Sequence, residues 1–317
     1  MEERKKIIVI CGPTASGKTG LSLVLAKKFG GEIISADSMQ VYATLRVGTA
    51  RPTEEEMCGV AHHLMGFLPP DASYSVAKYA ESAHAAIREV YSRGKLPILC
   101  GGTGLYIQAV VDNLQYEDQS GDRSVRDELN RRIAAEGGEA LLAELAVVDP
   151  QTAARLHPND HGRIVRALEL YRTTGQTITQ QNKDSRRVPS PYAVCGARLD
   201  FRDRAKLYDR IDLRVHIMVE QGLEEEARWL RDQPHTDTVR QAIGYKEWEP
   251  YFSGQASLQE VIAAIQQGSR RYAKRQLSWF RHREWMYPVY VDDGDVINTA
   301  AQYINTWKGA ETDETLR

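Results

Sequence analysis

The residues with the clearest chemical capacity stand in one nine-residue stretch near the start of the chain. The stretch CGPTASGKT at 11–19 fits the pattern G-x-x-x-x-G-K-[S/T]. Loops of this pattern aim backbone N–H groups, an ammonium group and a hydroxyl group at phosphate oxygens. The sequence therefore predicts a phosphate-binding loop made of Gly12, Pro13, Thr14, Ala15, Ser16, Gly17, Lys18 and Thr19.

The flanking sequence supplies the elements that this loop needs. The apolar run KKIIVIC before it has the length of a strand, and GLSLVLAKKFG after it has helical spacing. A strand, a turn and a helix in this order direct the positive end of a helix dipole at the loop. A glycine-rich turn without a ligand is the alternative, but it gives no reason for Lys18 and Thr19 to be in register.

A second candidate for chemistry is Asp37, which ends the strand-like run GEIISAD. The carboxyl ends of strands in an open α/β sheet face the ligand crevice. A carboxylate there can accept a proton or orient a nucleophile beside the phosphate loop. Capping of a following helix is the alternative, and this residue alone does not decide between the two roles.

The next strand-like run, LPILCGGTGLY, ends in Gly101, Gly102, Thr103 and Gly104. An ordinary ATPase of the phosphate-loop class would place a magnesium-associated aspartate at such a position. Small residues let a ligand approach the backbone, and the Thr103 hydroxyl can donate to a developing anion. A tight strand-to-helix turn would use the same glycines. The missing carboxylate argues against an ATPase.

Two pairs of residues add further candidates. Arg210 and Arg214 stand four residues apart on one predicted helix, so both can reach the edge of one pocket and bind a diphosphate. A solvated helix face shows the same pattern.

His62 and His63 are adjacent and have no carboxylate at metal-ligand spacing, so we expect them to be structural or to line a pocket.

A basic and aromatic stretch, SRRYAKRQLSWFRHREW at 269–285, could hold a nucleic-acid backbone, with its aromatic rings offering stacking surface. A solvated, charged helix face is the alternative. The formal net charge of −2 for the whole chain does not decide between them, because only the local charge is informative.

Composition places the chain among ordinary globular proteins. It has 317 residues, of which 42% are hydrophobic and 26% charged. The four cysteines form no C-x-x-C pair, which favours free thiols in a reducing compartment over disulfides or zinc. The first apolar run is too short for a signal peptide, and none approaches the roughly 18 residues of a membrane span. We therefore expect a cytoplasmic protein with no membrane partner.

The strand-like runs IIVIC, GEIISAD, LPILCGG, YAVCGARLD and MYPVYV, with helical segments between the first three, predict an α/β fold with a parallel sheet flanked by helices. From about residue 115 to 190 only helix signals occur, before TITQQNKDSRRVPSP, which is typical of a polar linker. These patterns predict a catalytic core at 1–115 and 191–310, an all-helical insertion at 116–190 and a polar tail at 311–317.

Several stretches taken together resemble those of the tRNA dimethylallyltransferases, also called tRNA isopentenyltransferases. They run in the family's order from about residue 7 to about 285: GPTASGKT, ISADSMQVY, VGTARP, HHL, LPILCGGTGLY, HPND with RIVRALE, LYDRIDLRV with GLEEE, QAIGYKE and RRYAKRQLSWFR. A phosphate loop alone is common, but this ordered set is specific. The chain ends without the zinc finger of some eukaryotic relatives, which indicates the bacterial type.

The resemblance implies a reaction. The family transfers a dimethylallyl group from dimethylallyl diphosphate to N6 of the adenosine on the 3′ side of the anticodon. By that resemblance Asp37 is the base, Lys18 and Arg214 bind the diphosphate with the loop, and Thr103 lies close to both donor and target base. Mg²⁺, held through Thr19 and the diphosphate, would complete the neutralisation of charge.

The resemblance also implies contacts with the anticodon stem-loop of a tRNA, from a protein that we expect to be a monomer. The residues that match those meeting the flipped adenosine are Asp37, Ser38, Met39, Gln40 and Thr103. The residues that match those holding the stem-loop are Arg126, Gly162, Arg163, Arg166, Gln241, Ala242, Ile243, Gly244, Tyr245, Lys246, Lys274 and Arg275.

Three other functions compete with this one. An adenylate isopentenyltransferase would run the same chemistry on a free nucleotide, but it needs neither a helical insertion nor a basic surface. A small-molecule kinase would hold ATP in the loop, and it leaves the Gly-Gly-Thr strand end unexplained. A phosphate-loop protein that binds RNA without catalysis would tolerate loss of Asp37.

Overall fold

The structure is a computed structural model that describes residues 4–116 and 124–314. The chain divides into two compact units, one made of Met1–Val111 and Pro191–Arg317 and the other of Asp112–Ser190. Its strands are β1 (Lys5–Cys11), β2 (Gly31–Ser35), β3 (His62–His63), β4 (Leu96–Gly101), β5 (Tyr192–Asp200) and β6 (Met286–Tyr290). All of them belong to the first unit.

The described helices are α1 (Lys18–Phe29), α2 (Val76–Ser92), α3 (Gly104–Val111), α4 (Ser124–Glu136), α5 (Gly138–Val148), α6 (Pro150–Ala153), α7 (His161–Thr174), α8 (Ile178–Asp184), α9 (Arg204–Glu220), α10 (Leu223–Arg231), α11 (Asp237–Arg240), α12 (Glu249–Phe252), α13 (Leu258–Arg281) and α14 (Val296–Glu314). Short 3₁₀ turns occur at Lys246–Trp248 and Val291–Asp293. None of the helices in these ranges combines the length and apolar character that a membrane crossing needs.

The six strands form one parallel sheet in the order β3-β2-β4-β1-β5-β6. Side chains of β1 alternate between its two faces, so Ile7 and Val9 pack toward α2 and α3, whereas Ile8 and Ile10 pack toward α1 and α14. Because both faces are covered, β1 is apolar almost throughout. This arrangement confirms the parallel α/β sheet predicted from the sequence.

A third apolar cluster of the first unit lies outside the two faces of the sheet. It joins residues of α9, α10 and α13 to the loop after β2, with Tyr42 and Trp248 almost fully buried within it. A smaller cluster, with Leu207 of α9 and Leu277 of α13, holds these two helices together. Both helices are thereby fixed beside the loops that follow the strands.

The second unit contains α4 to α8 around its own apolar core, which includes Leu129, Leu141 and Leu168. Helix α7 has Asp160 at its N-cap and ends at Gly175, which lies in the left-handed region. The buried Asp149 accepts hydrogen bonds from the N–H groups of Thr152 and Thr179, which ties α6 to α8.

The structure differs from the sequence prediction at three places. The stretch interpreted as a polar linker contains α8, whose first turn is capped by the Thr177 hydroxyl. Helix α14 continues through 311–314, where a polar tail was expected, and 315–317 lie outside the described residues. A short edge strand, β3, was missed, because two residues are too few for a period of two to show.

The histidines of β3 have structural roles. His63 Nε2 lies 2.7 Å from Glu32 Oε2, and His62 Nδ1 lies 2.8 Å from the Val60 carbonyl oxygen. The four cysteines are free thiols; Cys58 is exposed, and the other three are buried in the sheet.

Candidate active site

Three loops meet at the carboxyl edge of the sheet. Strand β4 lies between β2 and β1, with Cys100 paired to Ser35 and Gly101 paired to Cys11. The register therefore brings the phosphate loop, the Asp37 loop and the Thr103 turn to adjacent positions.

The phosphate loop has the backbone that its glycines predict. Gly17 caps α1 with φ of 91°, and Ala15 also has a positive φ, of 61°, which is strained for a residue with a side chain. A Cβ at Gly12 would lie 2.8 Å from the Leu199 carbonyl oxygen, so glycine is needed where the loop passes β5. The N–H groups of the first turn of α1 lack partners within the helix and face the loop opening, where an anion can accept from them.

Lys18 lies within the curl of the loop. Its Nζ donates a hydrogen bond of 2.6 Å to the Pro13 carbonyl oxygen. Burial lowers the pKa of its ammonium group to about 8; Cys100 and Asp37 oppose this effect, and the nearby Arg214 adds to it. An anionic ligand would therefore stabilise this buried ammonium group, which has no full counter-charge in the protein.

Helix α9 brings two arginines to the same loop, as the four-residue spacing predicts. Arg210 Nε donates to the Ala15 carbonyl oxygen at 2.8 Å, and Arg214 Nη1 donates to the Thr14 hydroxyl at 3.1 Å. Burial lowers the pKa of Arg214, and Asp37 opposes that shift. The phosphate loop is therefore covered on one side by two guanidinium groups.

Asp37 caps a turn and keeps one oxygen available. Its Oδ1 accepts from the N–H groups of Met39, at 2.9 Å, and Gln40, at 3.4 Å, and no helix follows it. Within 4–116 and 124–314, no group donates a hydrogen bond to Oδ2. The turn thus fixes the carboxylate and leaves Oδ2 able to accept a proton from a ligand.

Thr103 is held beside Asp37 by the adjoining turn. Its N–H group donates to the Ala36 carbonyl oxygen at 3.0 Å, and its hydroxyl oxygen accepts from the Ser38 N–H group at 3.0 Å. The side chain therefore sits directly over the segment that carries Asp37.

The glycines around Thr103 serve packing inside the protein. A Cβ would lie 2.1 Å from the Ala36 carbonyl oxygen at Gly101, 2.3 Å from Gln276 Nε2 at Gly102 and 2.3 Å from the Trp279 ring at Gly104. The space beside these glycines is thus filled by the chain itself. The tight-turn interpretation explains them, and the expectation that they let a ligand approach the backbone is wrong for these three positions.

Two residues of the site, both on α13, were not predicted from the sequence as candidates for catalysis. Gln276, which is 5% exposed, accepts from the Thr14 N–H group at 2.8 Å and donates to the Gly102 carbonyl oxygen at 2.9 Å. Burial raises the pKa of the Tyr272 hydroxyl to about 12, and the neighbouring Thr103 and Gln276 oppose that shift. The spacing of four residues between Tyr272 and Gln276 within the charged stretch was the available signal, since it places both on one face of the helix.

Two cavities open onto these residues. The first, of about 480 Å³, is lined by the phosphate loop and by Arg210, Arg214 and apolar residues of α9. The second, of about 450 Å³, is lined by Ser38, Met39, the residues 241–244 and 246, and basic residues of α13. The residues common to both linings are Thr14, Ala15, Asp37, Thr49, Arg214, Met218 and Tyr272. Asp37 and Arg214 thus stand where the two cavities adjoin.

The segment Gln241 to Lys246 is divided between the second cavity and the protein interior. Gln241 and Lys246 are exposed, and Ala242, Ile243 and Gly244 also line the cavity. Tyr245 is buried instead, with its ring filling the space beside Gly48. The sequence alone does not show which of these residues line the cavity and which are buried, because the irregular backbone here follows no simple period.

Glu226, in the GLEEE stretch, holds the loop after Asp37. One carboxylate oxygen accepts from the N–H groups of Arg46 and Val47 at 2.8 and 2.9 Å, and the other accepts from Gly48 at 2.9 Å. Three successive N–H groups on one carboxylate form an anion-binding nest within the protein. The loop leads into Thr49, which lines both cavities.

The remaining predicted RNA-binding residues lie in two places. Lys274 and Arg275 are exposed on α13, and Arg275 lines the second cavity. In the second unit, Arg126 and Arg166 both pair with Glu169, at 2.7 and 3.0 Å. Gly162 and Arg163 are exposed in the first turn of α7.

The parallel sheet, the phosphate loop and the cationic groups around it define the class: a phosphate-loop α/β protein whose site adjoins a second polar cavity. The sequence model of the family described as IPP transferase matches residues 40–283, and that described as isopentenyl transferase matches residues 5–66. The chain belongs to the IPP transferase family.

Known relatives are similar along nearly the whole chain. A tRNA dimethylallyltransferase of Bacillus mycoides strain KBAB4 is 44% identical over 304 residues, covering 95% of each chain. A tRNA dimethylallyltransferase of Halalkalibacterium halodurans is 46% identical over 281 residues, covering 88% of this chain and 89% of its own.

Solved structures show the same fold. The full-length tRNA isopentenylpyrophosphate transferase of Bacillus halodurans matches with a TM-score of 0.72 and 40% identity, over 98% of this chain and 100% of that one. A eukaryotic dimethylallyltransferase acting on tRNA matches with a TM-score of 0.75 and 30% identity, over 90% of this chain and 74% of that one.

Proposed function

We propose that this protein transfers a dimethylallyl group from dimethylallyl diphosphate to N6 of the adenosine on the 3′ side of the anticodon in tRNA, releasing diphosphate. The observation that carries the proposal is the position of Asp37 and Arg214 in the lining of both cavities. One cavity suits a diphosphate, and the other suits a polar, anionic partner. The reacting groups of the two substrates would meet at the residues that line both cavities.

The donor would occupy the first cavity. Its diphosphate would accept hydrogen bonds from the N–H groups of the phosphate loop and from Lys18, with Arg214 and Arg210 on the other side. The exposed side chains of Leu213 and Ile217 on α9 line the same cavity and offer an apolar surface for the five-carbon group.

The acceptor nitrogen is a weak nucleophile, because its lone pair is conjugated with the purine ring. Asp37 Oδ2 would accept a proton from N6 as the bond from N6 to the first carbon of the donor forms and the carbon–oxygen bond to diphosphate breaks. A positioned base contributes about 10²- to 10⁴-fold. Lys18 and Arg214 would stabilise the charge that develops on the leaving diphosphate.

The residues present fit Mg²⁺ beside the donor. The Thr19 hydroxyl lines the first cavity and has no hydrogen-bond partner among the described residues, and the buried Ser16 hydroxyl likewise has none. Mg²⁺ prefers a few protein oxygens together with water and phosphate oxygens. We propose that Thr19 holds the ion against the diphosphate, where it would add to the neutralisation of the leaving group.

The acceptor base would enter the second cavity. An adenosine stacked in an anticodon loop has to be extruded to reach Asp37, at a cost of a few kcal/mol. Ser38, Met39, Gln40 and Thr103 would meet the extruded base. The basic groups Lys246, Arg271 and Arg275 line this cavity and would bind the phosphates on either side.

The second unit and the location of the protein complete the proposal. Arg163 and the pair Arg126 and Arg166 would contact the anticodon stem, with Glu169 keeping the latter two in place. We also propose that the protein acts as a monomer in the cytoplasm, where its tRNA substrate resides.

A transfer assay with several acceptors tests the proposal. The protein and Mg²⁺ are incubated with radiolabelled dimethylallyl diphosphate and an anticodon stem-loop RNA, with AMP and ATP in parallel. A matched RNA carries purine riboside, which lacks the exocyclic amine, at the target position. We expect label on the adenosine-containing RNA alone. Label on AMP would support an adenylate isopentenyltransferase, and label on no acceptor would contradict transfer altogether.

A further inference from the structure

Trp279 is a large aromatic residue that the proposed reaction does not use. It lies on α13 seven residues after Tyr272, about 10 Å further along the helix axis and nearly on the same face. Its side chain is 38% exposed. Exposure of this size is uncommon for a tryptophan that serves only to fill a core.

The indole is fixed against the turn that carries Thr103. A Cβ at Gly104 would lie 2.3 Å from Trp279 Cδ1 and 2.4 Å from Nε1, so the ring packs directly on the glycine backbone. Gly104 follows Thr103, and the Thr103 hydroxyl binds the Ser38 N–H group in the lining of the second cavity. The ring is therefore held close to the place where the extruded base would enter.

The surroundings of Trp279 combine an apolar surface with positive charge. Leu105, 45% exposed, follows Gly104. The Arg283 guanidinium lies 5.4 Å from the Trp279 ring centroid and donates to Gln108 Oε1 at 2.9 Å. Lys274 and Arg275 are exposed on the preceding turn of α13. An aromatic ring with cations beside it is the arrangement that binds unpaired bases and their phosphates.

We propose that the indole of Trp279 stacks on the unpaired base next to the target adenosine. The inference rests on the proposed function and adds a second base-binding position to it. Extrusion of the adenosine leaves the neighbouring base without one of its stacking partners, and the indole supplies a replacement surface. The partner is RNA rather than protein, because the indole packs against the turn that carries Thr103 and stands one helical turn after Arg275, a cation that lines the second cavity.

The test compares Trp279→Leu with Trp279→Phe, using Trp229→Leu as the matched control. Trp229 is 41% exposed on α10 and lines neither cavity. Stacking of one base on an aromatic ring predicts that Trp279→Leu raises the KM for stem-loop RNA about tenfold or more. The KM for the donor should stay within about threefold. Trp279→Phe, which keeps a ring, should lose less, and Trp229→Leu should match the wild type.

An abasic RNA identifies the contact. Each neighbour of the target adenosine is replaced in turn by an abasic nucleotide, and the effect of Trp279→Leu is measured again. At one of the two positions the effect should fall to about twofold or less, because the base that the ring binds is already missing. An effect of equal size on intact and both abasic RNAs would overturn the inference, as would an unchanged KM in Trp279→Leu.

A fluorescence titration keeps the test decisive where Trp279→Leu folds poorly. Stem-loop RNA should quench the tryptophan emission of the wild type, and Trp279→Phe should lose that quenching while keeping its fold. Equal quenching in both proteins would contradict stacking on Trp279. The wild-type reaction separates this inference from the proposed function: if the wild type labels the RNA and the Trp279 variants behave like it, only the inference fails.

Discussion

The Tyr245 hydroxyl donates a hydrogen bond of 2.6 Å to the Glu226 carboxylate, which also accepts bonds from the N–H groups of Arg46, Val47 and Gly48. Four donors therefore converge on one side chain. Burial next to Glu226 raises the pKa of Tyr245, so the phenol stays protonated as a donor. The loop that leads into Thr49 is tied to α10 and to the segment 241–246 through this single carboxylate.

Glu226→Ala should destabilise the protein and disturb the site. It leaves the N–H groups of the loop without their acceptor, and the free energy of unfolding should fall by about 2 to 3 kcal/mol, since hydrogen bonds to a charged group contribute about 1.5 to 3 kcal/mol. Urea unfolding measures this difference. The transfer rate should fall as well, because Thr49 loses its support.

Glu225→Ala is the control for that change. Glu225 is exposed on the same helix turn, so its loss should cost no more than about 0.5 kcal/mol. Equal stabilities for Glu225→Ala and Glu226→Ala would show that the carboxylate does not hold the loop.

Gly101→Ala should be strongly destabilising. The added Cβ would lie 2.1 Å from the backbone oxygen of Ala36, and backbone cannot move aside as a flexible side chain can. Overpacking of this kind costs about 1 to 3 kcal/mol or more. Thermal unfolding should show a clear fall in the midpoint.

Gly20→Ala gives the matched comparison. Gly20 lies in α1 with no atom near the position of a Cβ, so alanine should leave stability unchanged or raise it by up to about 1 kcal/mol. If Gly101→Ala unfolds at the temperature of the wild type, the close approach to Ala36 is not a constraint on this turn.

Donor binding should weaken as the pH rises through about 8. Below that pH the Lys18 ammonium is charged in the free protein; above it the proton is lost, and binding of a diphosphate has to restore it. The dissociation constant for dimethylallyl diphosphate should then rise by up to about tenfold per pH unit. Calorimetry between pH 7 and 9.5 measures this dependence and the accompanying proton uptake.

Lys18→Gln should bind the donor weakly and with little change over the same pH range. A parallel rise in both proteins would assign the pH dependence to another group.

The lowered pKa of Lys18 also affects stability. The unfolded chain binds more protons than the folded chain between about pH 8 and 10.5, so this lysine makes the free energy of unfolding rise with pH there.

The sequence predicts the sheet and the carboxyl edge of the site well, because these depend on local patterns. The apolar run of β1, the phosphate loop and the helix after it appear at the expected positions. The ends of β2 and β4 also place Asp37 and Thr103 beside the loop, as parallel strands require.

The contacts that sequence patterns do not show are the ones between distant segments. Gln276 joins two loops separated from it by 262 and 174 residues, and Glu226 holds backbone N–H groups about as far away. Neither contact leaves a period or a spacing in the sequence. The burial of Tyr245 could not be predicted either, because it depends on Glu226 and other residues that surround it in the fold and not on its neighbours in the sequence.

A single-turnover experiment on Asp37→Asn tests the central claim most directly. Asparagine keeps an oxygen for the N–H groups of Met39 and Gln40, so the turn should persist while the base is lost. The dissociation constants for donor and stem-loop RNA should stay within about threefold, and the transfer rate should fall by about 10²- to 10⁴-fold. A transfer rate within about threefold of the wild type, with both substrates bound, would contradict the role of Asp37 as the base between the two cavities.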